Sequence, residues 1–507
     1  MIEAFLSVLT GMILDPAGLA LVLFATLGGI ILGALPGISS TMALAVLLPF
    51  SFAMGPETAI MFLMGIFYGS VYGGSISAIL LNIPGTPGSM VTQLDGYPMA
   101  RGGRAGEALT FALAASTFGG LFGLIALIIF APLLASAALA FQSPEFTMIM
   151  VFGLSMLAYA SPGSTYLGVL AGVIGLIVGT IGLDPTTNYS RLDFGVARLQ
   201  AGINLIPVVV GLFGFAEVLR ILEQRQPPGS AIGAIGRVFP RLADFRGMFG
   251  TAARSSFFGL IVGIIPAAGS AVAVSVAYAQ EKRLYAGKET FGNGNPRGVI
   301  SAEAGNNACV GGALTPMMTL GIPGDTMTAV LIGALLIHGL RPGPELFTQH
   351  PGFVATVYVA LGLAILATVL WGLLGMRVFA RLLSAPPRLL LTIILMLCVA
   401  GSYSVQNTTF DILVMVVAGV AGYLMNKVGM PTAPVVFGLV LGPLLEENLR
   451  RSLIIYGDWT IFFQRPISAT LLLIAAVTLL YPAISALRER RALAKRQAAN
   501  YCDHRSQ

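Results

Sequence analysis

The chain has 507 residues, of which 56% are hydrophobic and only 10% are Asp, Glu, Lys or Arg, with a mean hydropathy of +0.87. Soluble domains carry roughly a quarter charged residues, so this composition excludes an ordinary soluble enzyme and indicates an all-α polytopic membrane protein. The formal charge of +6 sits in loops and at the C-terminus, where it reads as a topology signal facing anionic lipid and not as a nucleic-acid footprint.

Taken in chain order, residues 1–16 form an N-terminal interfacial segment: Glu3 is acidic and no basic n-region precedes the apolar run, so no cleaved signal peptide is read there. Apolar windows such as Leu19 to Leu35, Phe111 to Ala131, Phe353 to Leu374 and Ile467 to Leu480 approach the length that crosses a bilayer. They lead to an expectation of about 10–14 spanning or re-entrant helices. Residues 17–222 are expected to form a first transmembrane repeat, 223–252 a basic cytoplasmic linker and 253–465 a second repeat. A final transmembrane helix (466–487) and a basic cytoplasmic tail (488–507) complete the chain. Cys309, Cys398 and Cys502 are too scattered for a disulfide framework or a metal cluster.

The repeat rests on two motif pairs in the same order. "GALPGISSTMALAV" (Gly33 to Val46) resembles "GIIPAAGSAVAVSV" (Gly263 to Val276), and "YGGSISAILLNIPGTPGS" (Tyr72 to Ser89) resembles "VGGALTPMMTLGIPGDTM" (Val310 to Met327). Matched loops carry opposite charge bias. "AMGPET" has no basic residue, whereas its counterpart has Lys282, Arg283, Lys288 and Arg297; "ARGGRAGE" has Arg101 and Arg104, whereas its counterpart has only Arg341 offset by Glu345. Under the positive-inside rule, equivalent loops then face opposite sides, the pattern of two inverted-topology repeats in secondary transporters.

Each repeat holds two Pro/Gly breaks, Pro36 with Pro84 and Pro266 with Pro323. A break frees carbonyls and amides that hydrocarbon cannot satisfy, so it belongs where it lines a polar cavity. Helix N-termini converging there favour an anion, and freed carbonyls favour sodium. The candidate substrate-binding residues beside these breaks are Ser39, Ser40, Thr41, Asn82, Pro84, Gly85, Thr86, Gly269, Ser270, Asn306, Asn307, Thr315, Gly324 and Thr326. Against them stands the habit of Ser and Thr in membrane helices of bonding back to a carbonyl one turn earlier; the amides of Asn82, Asn306 and Asn307 are costlier to bury without partners. Asp325 follows a break in an uncharged stretch, and two roles stay open for it: sodium coupling, or capping of the "TMTAV" segment. Glu303 lies nearer the basic loop and is expected at the interface.

An intramembrane enzyme or an ATP-driven pump finds no support in motifs. The chain has His338, His350 and His504 but no His-Glu-x-x-His or nucleophile elbow, and Gly287-Lys288 is followed by Glu289 where a phosphate loop needs Ser or Thr. A channel, which repeats one filter by symmetry, fits two unequal broken motifs less well than a carrier does.

"LPGISST", "YGGSISAILLNIPGTPGS", "DGYPMARGGRAGEAL", "SAEAGNNACVGGALTPMMTLGIPGDTMTAVLIGAL" and "GLRPGPELF" together resemble the large membrane subunit of tripartite tricarboxylate transporters, the TctA family, from about Gly28 to Pro466. The resemblance implies a three-part importer: this permease, a small integral-membrane subunit and a periplasmic solute-binding protein that delivers a tricarboxylate or related carboxylate. It also implies residence in the bacterial inner membrane, uptake driven by an ion gradient usually taken to be sodium, and no organic cofactor. The second copy departs from the first, with Gly321 and Asp325 where the first has Asn82 and Thr86, so the two halves need not share ligands.

Overall fold

A computed structural model describes residues 2–158, 165–184, 187–223, 237–238, 240–383 and 387–480. The C-terminal basic tail, residues 481–487 and Arg225 of the linker lie outside the described residues. Among the described residues the only strand pairing is a two-residue antiparallel ribbon, Gly182–Leu183 with Ser190–Arg191. Everything else that is regular is helical, and the protein is an all-α polytopic membrane protein.

The first half runs α1 (Ile2–Leu14), α2 (Pro16–Ala34), α3 (Ser40–Leu47), α4 (Pro56–Leu81), α5 (Thr92–Met99), α6 (Ala105–Ala138), α7 (Ser143–Ser155), α8 (Thr165–Gly179) and α9 (Leu205–Val209). A π-turn over Val210–Phe215 joins α9 to α10 (Ala216–Glu223). The second half runs α11 (Met248–Ile264), α12 (Gly269–Leu284), α13 (Pro296–Leu320), α14 (Thr326–Ile337), α15 (Pro344–Gln349), α16 (Pro351–Leu382), α17 (Pro387–Gln406), α18 (Thr409–Lys427), α19 (Ala433–Tyr456) and α20 (Ile461–Gln464). Six helical stretches are long and apolar enough to cross a membrane, and shorter apolar helices such as Thr326–Ile337 stand beside them.

The helix starts follow from local chemistry. Asp15 accepts the Ala17 amide at 3.1 Å ahead of Pro16 at the first helical position, and Asn295 accepts the Arg297 amide at 2.9 Å ahead of Pro296. The centre of the bundle belongs to α4 and α13. Of the apolar window of α4, 94% is buried, which is why its sequence shows no amphipathic stripe. In α13 nearly every residue is buried, although Arg297, Glu303, Asn306 and Asn307 make it too polar to read as a span.

Small residues set how closely neighbours approach these two helices. A Cβ at Gly29 or Gly33 of α2 would fall 2.5 and 2.3 Å from the Ile66 and Ser70 carbonyl oxygens of α4. In the second half, a Cβ at Gly259 or Gly263 of α11 would fall 2.1 and 2.6 Å from the Gly305 and Cys309 carbonyl oxygens of α13. The matched motifs therefore build the same tight helix pair twice. The central helices are then exchanged between halves: α4 packs on α16 and α13 on α6, while α7 and α8 lie on α19, and α17 and α18 lie on the α9–α10 segment.

Candidate functional site

Both breaks of the first half open onto one cavity of about 660 Å³. The first break ends α2 at Leu35 in extended backbone, passes Gly37 at φ +90°, and starts α3 with Ser39, whose hydroxyl accepts the Met42 amide at 3.1 Å. The second ends α4 at Asn82, which takes a left-handed conformation, and continues through Ile83, Pro84 and Gly85 to Thr86. Thr86 and Ser89 close that turn: the Thr86 amide donates to the Ser89 hydroxyl at 3.2 Å, which donates to the Thr86 carbonyl at 2.9 Å. Gly37, Ser39 and Pro84 to Pro87 all line the cavity.

The opposite wall comes from α10 and α18 and is charged. Arg220 pairs with Glu217 at 2.5 Å, Lys427 pairs with Glu223 at 2.7 Å, and the Tyr423 hydroxyl donates to Glu223 at 2.7 Å. Both basic groups are about half exposed, and ion pairs in that setting contribute little net stability. Glu223 is half exposed as well, so another anionic group can take its place on Lys427 at low cost, whereas the Glu217 carboxylate is only 14% exposed and has little water to replace Arg220.

The breaks of the second half lie elsewhere. Asp325 caps α14: its Oδ1 accepts the Thr328 amide and the Thr328 hydroxyl, each at 2.8 Å, and its own amide donates to the Thr328 hydroxyl at 2.9 Å. It is 7% exposed, and no Lys, Arg or His pairs with it among the described residues. The next residue, Thr326, shares a 2.6 Å hydrogen bond with Thr41 of α3. Gly324 folds against Ala313 as Gly85 folds against Gly74, each on the residue eleven positions earlier, so the two loops turn back on their own helices in the same way. A second point of contact between halves is at Gly88, where a Cβ would fall 2.1 Å from Asn306 Oδ1 and 2.9 Å from Ser270 Oγ.

The remaining candidates divide. Asn82 is exposed and acts as a helix terminator. Ser40 is buried with a hydroxyl that has no partner. Gly269 opens α12 at φ +68°. Thr315 donates to the Gly311 carbonyl at 2.9 Å, the one-turn back-bond expected of hydroxyls in such helices. Asn307 donates to the Glu303 carbonyl at 2.9 Å. Asn306 is 1% exposed, and neither end of its amide has a partner. Glu303, expected at the interface, is instead fully buried, because α13 runs through the bundle centre and Thr92 and Ser116 cover its carboxylate.

Residues 19–437 match the profile described as "Tripartite tricarboxylate transporter TctA family". The chain belongs to this family. It is 36% identical over 479 residues, 94% of this chain and 95% of the relative, to a protein of Agrobacterium vitis described as an uncharacterized 52.8 kDa protein in the TAR-I ttuC' 3' region. A second Agrobacterium vitis protein, described as uncharacterized in the TAR-II ttuC' 3' region, is 35% identical over 234 residues, 46% of this chain and 97% of that one. No solved structure matches. This TctA-family chain is thus a membrane transporter component, and the matched span encloses all four breaks and the whole cavity lining. The charged wall escaped the sequence reading because Glu217, Arg220, Glu223 and Lys427 stand at helix ends far from any motif; the one available signal was their place in otherwise apolar helices.

Proposed function

We propose that this chain is the large permease subunit of a three-component secondary transporter that imports a tricarboxylate or related carboxylate across the bacterial inner membrane. It receives its substrate from a periplasmic solute-binding protein, works beside a small integral-membrane subunit, and is driven by a sodium gradient. The observation that carries the reading is the cavity, in which broken backbone faces two ion pairs, one of them, Lys427 with Glu223, half exposed on both sides. Its walls offer freed backbone, hydroxyls and two basic groups, the groups a carboxylate needs. They offer no nucleophile paired with a base, and catalysis plays no part in the proposal.

Charge removal at Lys427 tests the cavity directly. In reconstituted vesicles loaded with carboxylate, Lys427→Gln is expected to raise several-fold the internal concentration that half-maximally stimulates exchange, with the protein amount in the membrane unchanged. An unaltered half-maximal concentration would remove this wall from the substrate path.

The two halves are proposed to be inserted with opposite topology, on the reversed basic bias of the loops after α3 and α12. Single cysteines at Gly55 and Gly287, in a background lacking the native cysteines, are expected to label from opposite sides of the membrane. A Cβ is open to both sites, with nothing within 4 Å, although Gly287 has φ +76°. Labelling of both from one side would overturn the inversion.

A further inference from the structure

Asp95 opens the motif "DGYPMARGGRAGEAL", lies outside the cavity, and is unused by the scheme above. It stands on α5 of the first half, is 0% exposed, and directs its carboxylate entirely at the second half. Oδ1 accepts the backbone amides of Gly292, Gly294 and Asn295 at 2.8, 3.0 and 2.8 Å, and Oδ2 accepts the Tyr278 hydroxyl of α12 at 2.7 Å. A buried carboxylate is tolerated when charge-assisted bonds of this kind satisfy it.

The seat is built by "FGNGNPRG" of the second half. Gly292 and Gly294 have φ of +88° and +94°, a conformation that glycine adopts without strain and that turns nearby amides towards one point as an anion nest. The nest stands just ahead of α13, whose N-terminal dipole favours a negative charge there. It is braced from outside. Asn295 Nδ2 donates to Glu289 at 3.0 Å, Arg297 pairs with Glu289 at 3.1 Å, and Arg297 also donates to the Thr251 hydroxyl of α11 at 2.6 Å. The fit is close, since a Cβ at Gly298 would run into Oδ2 of Asp95.

The chain that Asp95 anchors is a wall of the cavity. Pro84 to Pro87 and Met90 line the cavity, and α5 begins two residues after Met90. Thr92 and Asp95, one turn apart on α5, both bond to the second half, Thr92 by donating to Glu303 of α13 at 2.5 Å. Its own half holds the loop by packing at Gly85 and by one long hydrogen bond, 3.4 Å from the Gly85 amide to the Gly74 carbonyl. The wall is thus slung between the two halves.

We propose that Asp95 is a positioning residue for the carboxylate site: seated in the nest of residues 292–295, it fixes Met90 and the loop Pro84 to Pro87 in the cavity wall. The inference rests on the reading of the cavity as that site.

Two measurements on the full-length chain test it: carboxylate exchange in reconstituted vesicles, and amide hydrogen exchange in detergent over residues 83–92. Asp95→Ala is expected to raise the half-maximal carboxylate concentration several-fold while the maximal rate per inserted molecule is retained. It is also expected to speed amide exchange over 83–92 and to leave α19 exchanging as in the wild type. Asp95→Asn, which keeps an acceptor for the amides, is expected to recover most of both. Gly298→Ala, made in the other half, is expected to reproduce the Asp95→Ala effects, and the double variant to be no worse than either alone, because both changes empty one seat. Should these variants fail to fold, Tyr278→Phe, which removes a single hydrogen bond to Oδ2, carries the test with a smaller shift in the same direction. Variants that lower the melting midpoint yet keep the wild-type half-maximal concentration and the wild-type protection of residues 83–92 would overturn the proposal. If residues 83–92 loosen as expected but the wild type exchanges no carboxylate, the anchoring stands and the carboxylate reading of the cavity fails.

Discussion

Gly85→Val is expected to abolish transport and to lower thermal stability, with a smaller loss in Gly85→Ala. A Cβ at this position would lie 2.2 Å from the Gly33 carbonyl oxygen, 2.8 Å from Ser77 Oγ and 2.9 Å from the Gly74 Cα. Two of these neighbours are backbone atoms of α2 and α4, which cannot swing aside as a side chain can. Overpacking of this kind costs about 1–3 kcal/mol and sometimes more. The loop must lift away, taking Pro84 and Thr86 out of the cavity wall and opening the hydrogen bond from the Gly85 amide to the Gly74 carbonyl, 3.4 Å long. Uptake per molecule of inserted protein, measured beside the melting midpoint, checks this. A Gly85→Val protein with wild-type uptake would separate the loop from the site.

Asp325→Asn is expected to leave stability close to wild type while raising the sodium concentration for half-maximal uptake, or removing sodium dependence. Asn caps helices about as well as Asp, so the bonds to Thr328 survive in kind. What the substitution removes is a negative charge that no basic residue among the described ones neutralises. If Asp325 acts as a cap alone, the sodium curve stays where it is. Uptake against external sodium in proteoliposomes, with the binding protein supplied, reads the difference.

Much of the architecture was legible in the sequence, for physical reasons that particular residues make clear. The breaks at Pro36, Pro84, Pro266 and Pro323 were visible because proline and glycine act on the local backbone. The capping role of Asp325 was visible because a cap involves only the next few residues. Contacts between halves were not legible: Thr41 with Thr326 and Gly88 with Asn306 depend on how the central helices are exchanged, which no local pattern encodes. Glu303 was placed at the interface because its nearest charges in sequence are basic, yet α13 carries it to the middle of the bundle, where hydroxyls from α5 and α6 surround it. The tightness at Gly85 was not legible either, because it is set by α2 as well as by the loop's own helix. The room a side chain would need is already filled by helix backbone.

The central claim is that a sodium gradient drives carboxylate import through this chain, and vesicle uptake tests it most directly. The permease and its small subunit are reconstituted together, the binding protein is added outside with radiolabelled carboxylate, and a sodium gradient is imposed or withheld. The account predicts saturable accumulation above the external concentration that collapses when sodium is equal on both sides. Uptake that rises without saturation, and stops at equilibrium whether or not a sodium gradient is present, would contradict it.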